Sequence, residues 1–285
     1  MPSPNEAFTL SDDTPRSSET TVNIAGILVH LYGVNELTPD QAKDTTVLFH
    51  VHGRTRSYKD SEQFAHQLLH TLGKNGHARG LVIATFDNRN HGIRKIDDLA
   101  IHAWDNGNAK HAQDMLSMID GIAIDLQTVM TYLESYVGDM FTPTRYIAAG
   151  VSLGGHVVWN LLAEDARIQI GIPIVGCPDL TSLLIDRLGH YASVNQIPEG
   201  TKEWPKSIEK LYASRDAKIT TINGKQMLVL NGAVDRLVPD KFTKPWIEKY
   251  AANNDVKYIV QAGTGHCLSW QMMDEISEWL VPLLN

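Results

Sequence analysis

Cysteine is scarce in this chain: only Cys177 and Cys267 occur among 285 residues. Two cysteines are too few for the disulfide framework of a small secreted scaffold, and their scarcity fits a reducing compartment. The polar residues 1–20 lack the basic start and the apolar core of a secretion signal. These features predict a cytoplasmic protein.

Basic charge and long apolar runs are also lacking. Lysine and arginine number 25 against 33 aspartates and glutamates, and no basic cluster of the kind that nucleic acids require is present. No apolar run is long enough to span a bilayer. The 12 histidines show no metal-ligand spacing with a nearby carboxylate or cysteine. We therefore expect no nucleic-acid partner, no membrane span, no metal and no cofactor, while the oligomeric state stays open.

The sequence does contain a regular alternation of apolar, strand-like runs and amphipathic, helix-like segments. Residues 1–20 are predicted to be a flexible tail, and residues 21–285 a single domain. Alternation of this kind predicts an α/β fold with a mostly parallel, doubly wound sheet and helices on both faces. In such sheets ligands bind at the carboxyl ends of the strands, so the residues at those ends are the candidates for function.

One segment, residues 179–221, breaks the alternation. It contains helix-like pieces but no strand-like run, and Pro198, Gly200 and Pro205 interrupt it. Because it follows a strand end, we predict a small helical cap over the site. The alternative is an ordinary pair of connecting helices.

The most informative motif is the run Gly-Val-Ser-Leu-Gly-Gly at residues 150–155. It lies between a strand-like run that begins at Arg145 and a helix-like run that begins at His156. A serine flanked by glycines at a strand-to-helix turn is typical of a nucleophile elbow. We therefore predict that Ser152 is a catalytic nucleophile held in strained backbone geometry.

Two further residues at predicted strand ends complete a catalytic set. Asp235 follows the strand-like run at Met227, and His266 follows the last such run. A serine hydroxyl needs an adjacent base, which histidine supplies, and a carboxylate orients the imidazole. Asp235 is the predicted acid, while Asp179, after the preceding strand, is the rival candidate.

The run His52-Gly53-Arg54 follows another apolar strand and is the candidate oxyanion loop. An acyl-transfer site needs two N–H donors aimed at the developing oxyanion. The predicted donors are the backbone N–H groups of Leu153 and Arg54, with Gly53 allowing a close approach. The alternative is a glycine turn with a buried histidine. The turn at residues 87–92 is predicted to brace this loop.

From residue 21 onward the chain resembles the α/β-hydrolase superfamily, which has the Ser…Asp…His order found here. The small cap and the Gly-Cys-Pro-Asp-Leu stretch at residues 176–180 resemble small esterases and the catalytic domains of prolyl-oligopeptidase-type hydrolases. The resemblance implies a Ser152–His266–Asp235 triad and an acyl-enzyme intermediate. We expect a serine hydrolase for a small or medium carboxylic ester. The alternatives are a thioesterase, peptidase, lactonase or lyase, or a non-catalytic ligand-binding protein of this fold.

Overall fold

A single mixed sheet forms the centre of the protein, whose computed structural model describes residues 3–74, 76–195 and 202–285. The strands are β1 (Glu19–Ile24), β2 (Ile27–Tyr32), β3 (Thr45–Val51), β4 (Gly80–Thr85), β5 (Pro143–Val151), β6 (Ile168–Ile174), β7 (Gln226–Gly232) and β8 (Asp255–Gln261). Their order across the sheet is β1-β2-β4-β3-β5-β6-β7-β8. The pairs β1–β2 and β2–β4 are antiparallel, and all the other pairs are parallel.

Helices cover both faces of this sheet. They are α1 (Tyr58–Gly73), α2 (His111–Val137), α3 (Leu153–Glu164), α4 (Leu180–Asn195), α5 (Lys206–Ile219), α6 (Lys244–Tyr250) and α7 (Trp270–Leu284). The apolar residues of α1 and α7 form one core, and those of α2 to α6 belong to the core on the opposite face. Within the described residues, no helix is both long and apolar enough to cross a membrane.

Strand β3 shows why the sheet has two cores. All seven of its residues are buried, as expected for a parallel strand that is covered on both sides. Val47 and Phe49 point to the core that contains α2 and α3, whereas Leu48 points to the core that contains α1. The predicted mostly parallel, doubly wound α/β sheet is confirmed.

Helix α1 begins with a pair of capping side chains. Ser57 is its N-cap, and Asp60 occupies the third helical position. The Ser57 hydroxyl accepts from the Lys59 N–H, and the Asp60 carboxylate accepts from the Ser57 N–H. The two side chains thus satisfy backbone donors at the start of the helix, as in a capping box.

The segment between β6 and β7 contains helices α4 and α5 and no strand among its described residues. Residues 196–201, which include the predicted interruptions at Pro198 and Gly200, lie outside the described part of the chain. Helix α5 packs on α3 and α4. The Tyr212 hydroxyl donates to the Ala112 carbonyl, which ties the segment to α2.

The N-terminal segment, predicted to be flexible, lies against the domain in this structure. Ala7 forms an antiparallel bridge with Ser269, and the Phe8 N–H donates to the Leu268 carbonyl over 2.8 Å. The Phe8 ring meets Trp270 edge-on at 4.9 Å between centroids. These contacts place residues 6–9 beside the loop that carries His266.

Candidate functional site

Ser152 stands at the turn between β5 and α3, in backbone geometry that few side-chain-bearing residues adopt. Its φ is 57° and its ψ is −111°. Its N–H donates to the Ile174 carbonyl of β6 over 2.9 Å, which helps to hold the turn. Strain of this kind persists only where the surroundings enforce it, and it is concentrated at functional sites.

The glycines around Ser152 are required by close backbone contacts. A Cβ at Gly150 would lie 2.5 Å from the Gly154 carbonyl, and one at Gly154 would lie 2.0 Å from the Val51 carbonyl of β3. Any side chain at either position would therefore collide with main-chain atoms. The turn therefore requires glycine at both positions.

His266 and Asp235 meet Ser152 above the carboxyl ends of β5, β7 and β8. The His266 Nε2 lies 2.8 Å from the Ser152 Oγ, and its Nδ1 lies 2.7 Å from the Asp235 Oδ2. The three side chains thus form one hydrogen-bonded chain. Their catalytic roles stay a prediction.

Gly232, at the end of β7, allows the Asp235 and His266 loops to approach each other. A Cβ there would lie 2.4 Å from the Gly265 carbonyl and 2.5 Å from the Thr264 carbonyl. The sequence analysis missed this residue, although a glycine between a strand end and a candidate acid is a usable signal.

The Asp235 carboxylate is fully buried and makes several hydrogen bonds. Burial alone would raise the pKa of Asp235, but the hydrogen bond and charge of His266, with the N–H groups of Val238 and Leu237, lower it overall. The Asp235 Oδ1 accepts from those two N–H groups at 2.9 and 2.8 Å. An ionised carboxylate only accepts hydrogen bonds, so the contact with Asp235 favours the tautomer in which His266 Nδ1 carries the proton and Nε2 of the neutral ring faces Ser152 as the acceptor.

The rival acid, Asp179, has a different position. Its Oδ1 accepts from the Ser182 N–H over 2.9 Å, in the first turn of α4. Side-chain acceptors of this kind satisfy the free donors at a helix start. The geometry therefore favours Asp235 over Asp179 as the partner of His266.

The loop at residues 52–54 follows β3 and lies against Ser152. A Cβ on Gly53 would lie 3.6 Å from the Ser152 Cβ, which is an ordinary contact, so the loop can approach Ser152 even without a glycine at 53. Leu153 begins α3, where N–H groups have no acceptor within the helix. Among the described residues, the Arg54 N–H has no hydrogen-bond acceptor either. Both predicted oxyanion donors are thus free, and their role stays a prediction.

His52 is a buried brace for this loop. Its Nδ1 donates to the Gly53 carbonyl over 2.8 Å, and its Nε2 accepts from the Asn88 N–H over 3.0 Å. Asp87 accepts from the N–H groups of Tyr58 and Ile93, at 2.9 Å each. The turn at residues 87–92 therefore has the bracing role predicted for it.

Three buried histidines lead us to expect a stability that falls in mild acid. Burial lowers the pKa of His52 from 6.5 to about 4, and those of His50 and His111 to about 3. Below pH 6.5 the unfolded chain binds protons at these sites while the folded chain does not, so the free energy of unfolding decreases toward pH 4 by roughly 1.4 kcal/mol per pH unit for each histidine. Urea denaturation between pH 7.5 and 4.5 measures this slope. His50→Gln should lower the slope by roughly 1.4 kcal/mol per pH unit, which is the contribution of one proton. An unchanged slope would contradict the low pKa of His50.

The cleft at Ser152 has a volume of about 460 Å³. Its wall includes the N-terminal segment, and its lining residues on the described chain include Ala7, Phe8, Gly53, Arg54, Ser152, Leu237, His266 and Leu268. No sequence signal points to the role of Ala7 and Phe8, because their partners lie near the opposite end of the chain. A larger cavity, of about 610 Å³, lies around Arg79 and Arg145. It is near the amino ends of the strands, whereas the triad candidates lie at their carboxyl ends.

Trp104 and the two cysteines have structural positions. Trp104 is 3% exposed, with its ring edge-on to His111 at 4.8 Å, so it belongs to the core. Burial raises the pKa values of Cys177 and Cys267, which keeps both thiols protonated near neutral pH. Within the described chain, no group of three or more His, Cys, Asp or Glu residues is arranged to hold a metal ion.

Comparison with known proteins gives similarity in structure but not in sequence. No protein-family model matches the chain, and no curated protein matches it. The structure is similar to TT1662 from Thermus thermophilus, with a TM-score of 0.69 and 19% identity over 95% of this chain and 99% of that one. It is also similar to the Pyrococcus furiosus esterase Pf2001, with a TM-score of 0.58 and 17% identity over 97% and 98% of the two chains.

A third similar structure belongs to a longer protein. The acylaminoacyl peptidase from Pyrococcus horikoshii matches with a TM-score of 0.64 and 11% identity over 93% of this chain and 42% of that one. At these identities the similarity extends to the fold alone. Together with the strand order, it shows that this chain has the α/β-hydrolase fold that its sequence predicts.

Proposed function

We propose that the protein is a serine hydrolase that cleaves a small or medium carboxylic ester through an acyl-enzyme intermediate. The observation that carries the proposal is the hydrogen-bonded chain from Ser152 through His266 to Asp235. Ser152 is strained at its turn and lies at the end of a cleft. A hydroxyl, a base with a free lone pair and a buried orienting carboxylate are the parts that nucleophilic acyl transfer needs.

Acylation begins when the Ser152 Oγ attacks the ester carbonyl carbon and its proton passes to His266 Nε2. The N–H groups of Leu153 and Arg54 donate to the oxyanion that develops on the carbonyl oxygen. His266 then returns the proton to the alcohol oxygen as the C–O bond breaks, which leaves the acyl group on Ser152. Asp235 stabilises the imidazolium while it exists.

Deacylation repeats these steps with water. The water oxygen attacks the acyl carbon as one of the water protons passes to His266 Nε2. The proton then returns to the Ser152 Oγ as the bond to the acyl group breaks, and the carboxylic acid leaves. Peptide amides could enter the same sequence, and the similarity to an acylaminoacyl peptidase makes them the second candidate substrate.

Labelling with a fluorophosphonate tests the proposal directly. The probe reacts only with an activated serine, so we expect mass spectrometry to find a single adduct, on Ser152, and none in Ser152→Ala. Assays with p-nitrophenyl esters, thioesters and peptide amides then separate the candidate substrates. If the folded protein does not react with the probe, the proposal fails and a non-catalytic ligand-binding role is favoured.

A further inference from the structure

Two arginines near the candidate triad combine burial with the absence of a carboxylate ion pair within the described chain. No aspartate or glutamate of the described chain forms an ion pair with Arg54 or Arg187. Arginines that do form such pairs are Arg56, Arg79, Arg89, Arg94, Arg167 and Arg215, whereas Arg16, Arg145 and Arg236 form none within the described residues. Removing a guanidinium from water without a counter-charge is costly, so an unpaired and partly buried pair needs an explanation.

Both guanidiniums are fixed next to the cleft by backbone carbonyls. The Arg54 Nη1 donates to the Ile101 carbonyl over 3.1 Å, and Arg54 lines the cleft together with Ser152 and His266. The Arg187 Nε and Nη2 both donate to the carbonyl of Leu237, another residue of the cleft wall. One charge thus comes from the candidate oxyanion loop and the other from helix α4.

The charge of Arg187 acts on Arg54, and both charges act on a shared neighbour, while the charges of Asp235 and Asp186 offset part of the effect of burial on the pKa of Arg187. Burial, and then the charge of Arg187, lower the pKa of Arg54 to about 10. After burial, the charges of Arg54 and Arg187 are the next largest causes of the low pKa of His111. Two like charges that repel each other in a partly buried space attract an anion placed between them.

Buried polar atoms without hydrogen-bond partners lie near the two guanidinium groups. Among the described residues, His111 Nε2 and Trp104 Nε1 make no hydrogen bond, although these side chains are only 1% and 3% exposed. Buried polar atoms are nearly always hydrogen-bonded. His111 Nδ1 is already engaged with the His102 carbonyl, so its Nε2 is left without a partner near the two guanidiniums.

We infer that Arg54 and Arg187 form a subsite for a carboxylate next to Ser152, so that the substrate is an ester that carries a second, ionised carboxyl group. The inference rests on the proposed function for the ester, but the anion subsite does not depend on turnover. Guanidinium groups match the two oxygens of a carboxylate. Each arginine keeps donors that its backbone carbonyl does not use, since a guanidinium has five N–H donors. A half-ester of a dicarboxylic acid has the required chemistry.

The kinetic test compares esters that differ only in charge. Methyl half-esters of succinic, glutaric and adipic acid are matched with analogues in which an amide replaces the free carboxylate. We expect the best half-ester to exceed its amide analogue by about 10- to 100-fold in kcat/KM, because hydrogen bonds to charged groups are of that strength. The ratio should fall toward one in Arg54→Gln and in Arg187→Gln. Both esters are assayed with the same sample of each variant. A partial loss of folded protein therefore lowers both rates equally and leaves their ratio unchanged.

The control is Arg56→Gln. Arg56 belongs to the same loop but is exposed and lies 3.7 Å from the Asp60 carboxylate. Arg56 also lines the cleft, but its charge is paired with Asp60. Its removal subtracts one positive charge and leaves Arg54 and Arg187 in place, so the ratio should stay that of the wild type. A fall in the ratio as large as that of Arg54→Gln would reduce the effect to general electrostatics and overturn the subsite.

Calorimetric titration gives a second readout that needs no turnover. We expect succinate, glutarate or adipate to bind the wild type, and their diamides not to bind; Arg54→Gln and Arg187→Gln should lose the binding. If dicarboxylates bind but fluorophosphonate does not label Ser152, the proposed subsite stands and the proposed hydrolase activity is overturned. Labelling at Ser152 with a ratio near one and no dicarboxylate binding would overturn the subsite alone.

Discussion

Ser152→Ala is expected to lower kcat on the true substrate by about 10⁴- to 10⁶-fold, the range seen when the nucleophile of a serine triad is removed. The change deletes one oxygen atom and leaves the turn between β5 and α3 unaltered. The hydrogen bond to His266 Nε2 disappears, and with it the only atom that can form the acyl-enzyme in this scheme. Stopped-flow or steady-state kinetics with an ester substrate measure the loss.

The variant should remain folded, which circular dichroism and thermal melting check. Ser117→Ala is a suitable control, since that serine is exposed on α2 and bonds only within its own helix. The double variant Ser152→Ala/His266→Ala should be no slower than Ser152→Ala, because members of a triad act as a unit. Substantial turnover by folded Ser152→Ala would refute the mechanism.

Gly154→Ala is expected to abolish the folded state or to cost more than about 4–5 kcal/mol, the range reserved for severe core disruption. The new Cβ would lie 2.0 Å from the carbonyl oxygen and 2.7 Å from the carbonyl carbon of Val51. Val51 belongs to β3, which is paired with β4 on one side and β5 on the other. Neither the strand nor the start of α3 can move without breaking that pairing.

Gly73→Ala provides the matched control for this prediction. Gly73 is the last residue of α1, and a Cβ there would have no neighbour within 4 Å. Alanine should therefore change the free energy of unfolding by no more than about 1 kcal/mol. Soluble expression and urea denaturation distinguish the two variants. A Gly154→Ala protein as stable as Gly73→Ala would mean that the turn is far looser than the geometry indicates.

Features that depend on local sequence were predictable here. Gly150, Ser152 and Gly154 lie within five consecutive residues, and the tight turn that they form is a property of that short run. The strands were recognisable because parallel strands buried on both faces require continuous apolar residues. The start of α1 is harder to place from sequence, because Ser57 and Asp60 are both good capping residues and only the structure shows which N–H each one accepts from.

Features that depend on contacts between distant parts of the chain were not predictable. Ala7 and Phe8 carry no motif, and they lie at the cleft only because they pair with residues near the last helix. Arg187 belongs to a helix-like stretch whose direction cannot be deduced from periodicity. The choice between Asp235 and Asp179 likewise required the loop geometry, since both follow a predicted strand.

The docked N-terminal segment has a practical consequence for handling the protein. Ala7 and Phe8 border the cleft, so an affinity tag attached ahead of this segment would be tethered close to the cleft. The other terminus is held elsewhere: the Leu283 carbonyl accepts from Arg145, and the Leu284 carbonyl from the Arg79 N–H. Arg145 and Arg79 lie where β5 and β4 begin, at the far rim of the sheet. Purification handles and surface-immobilisation linkers therefore belong after Asn285.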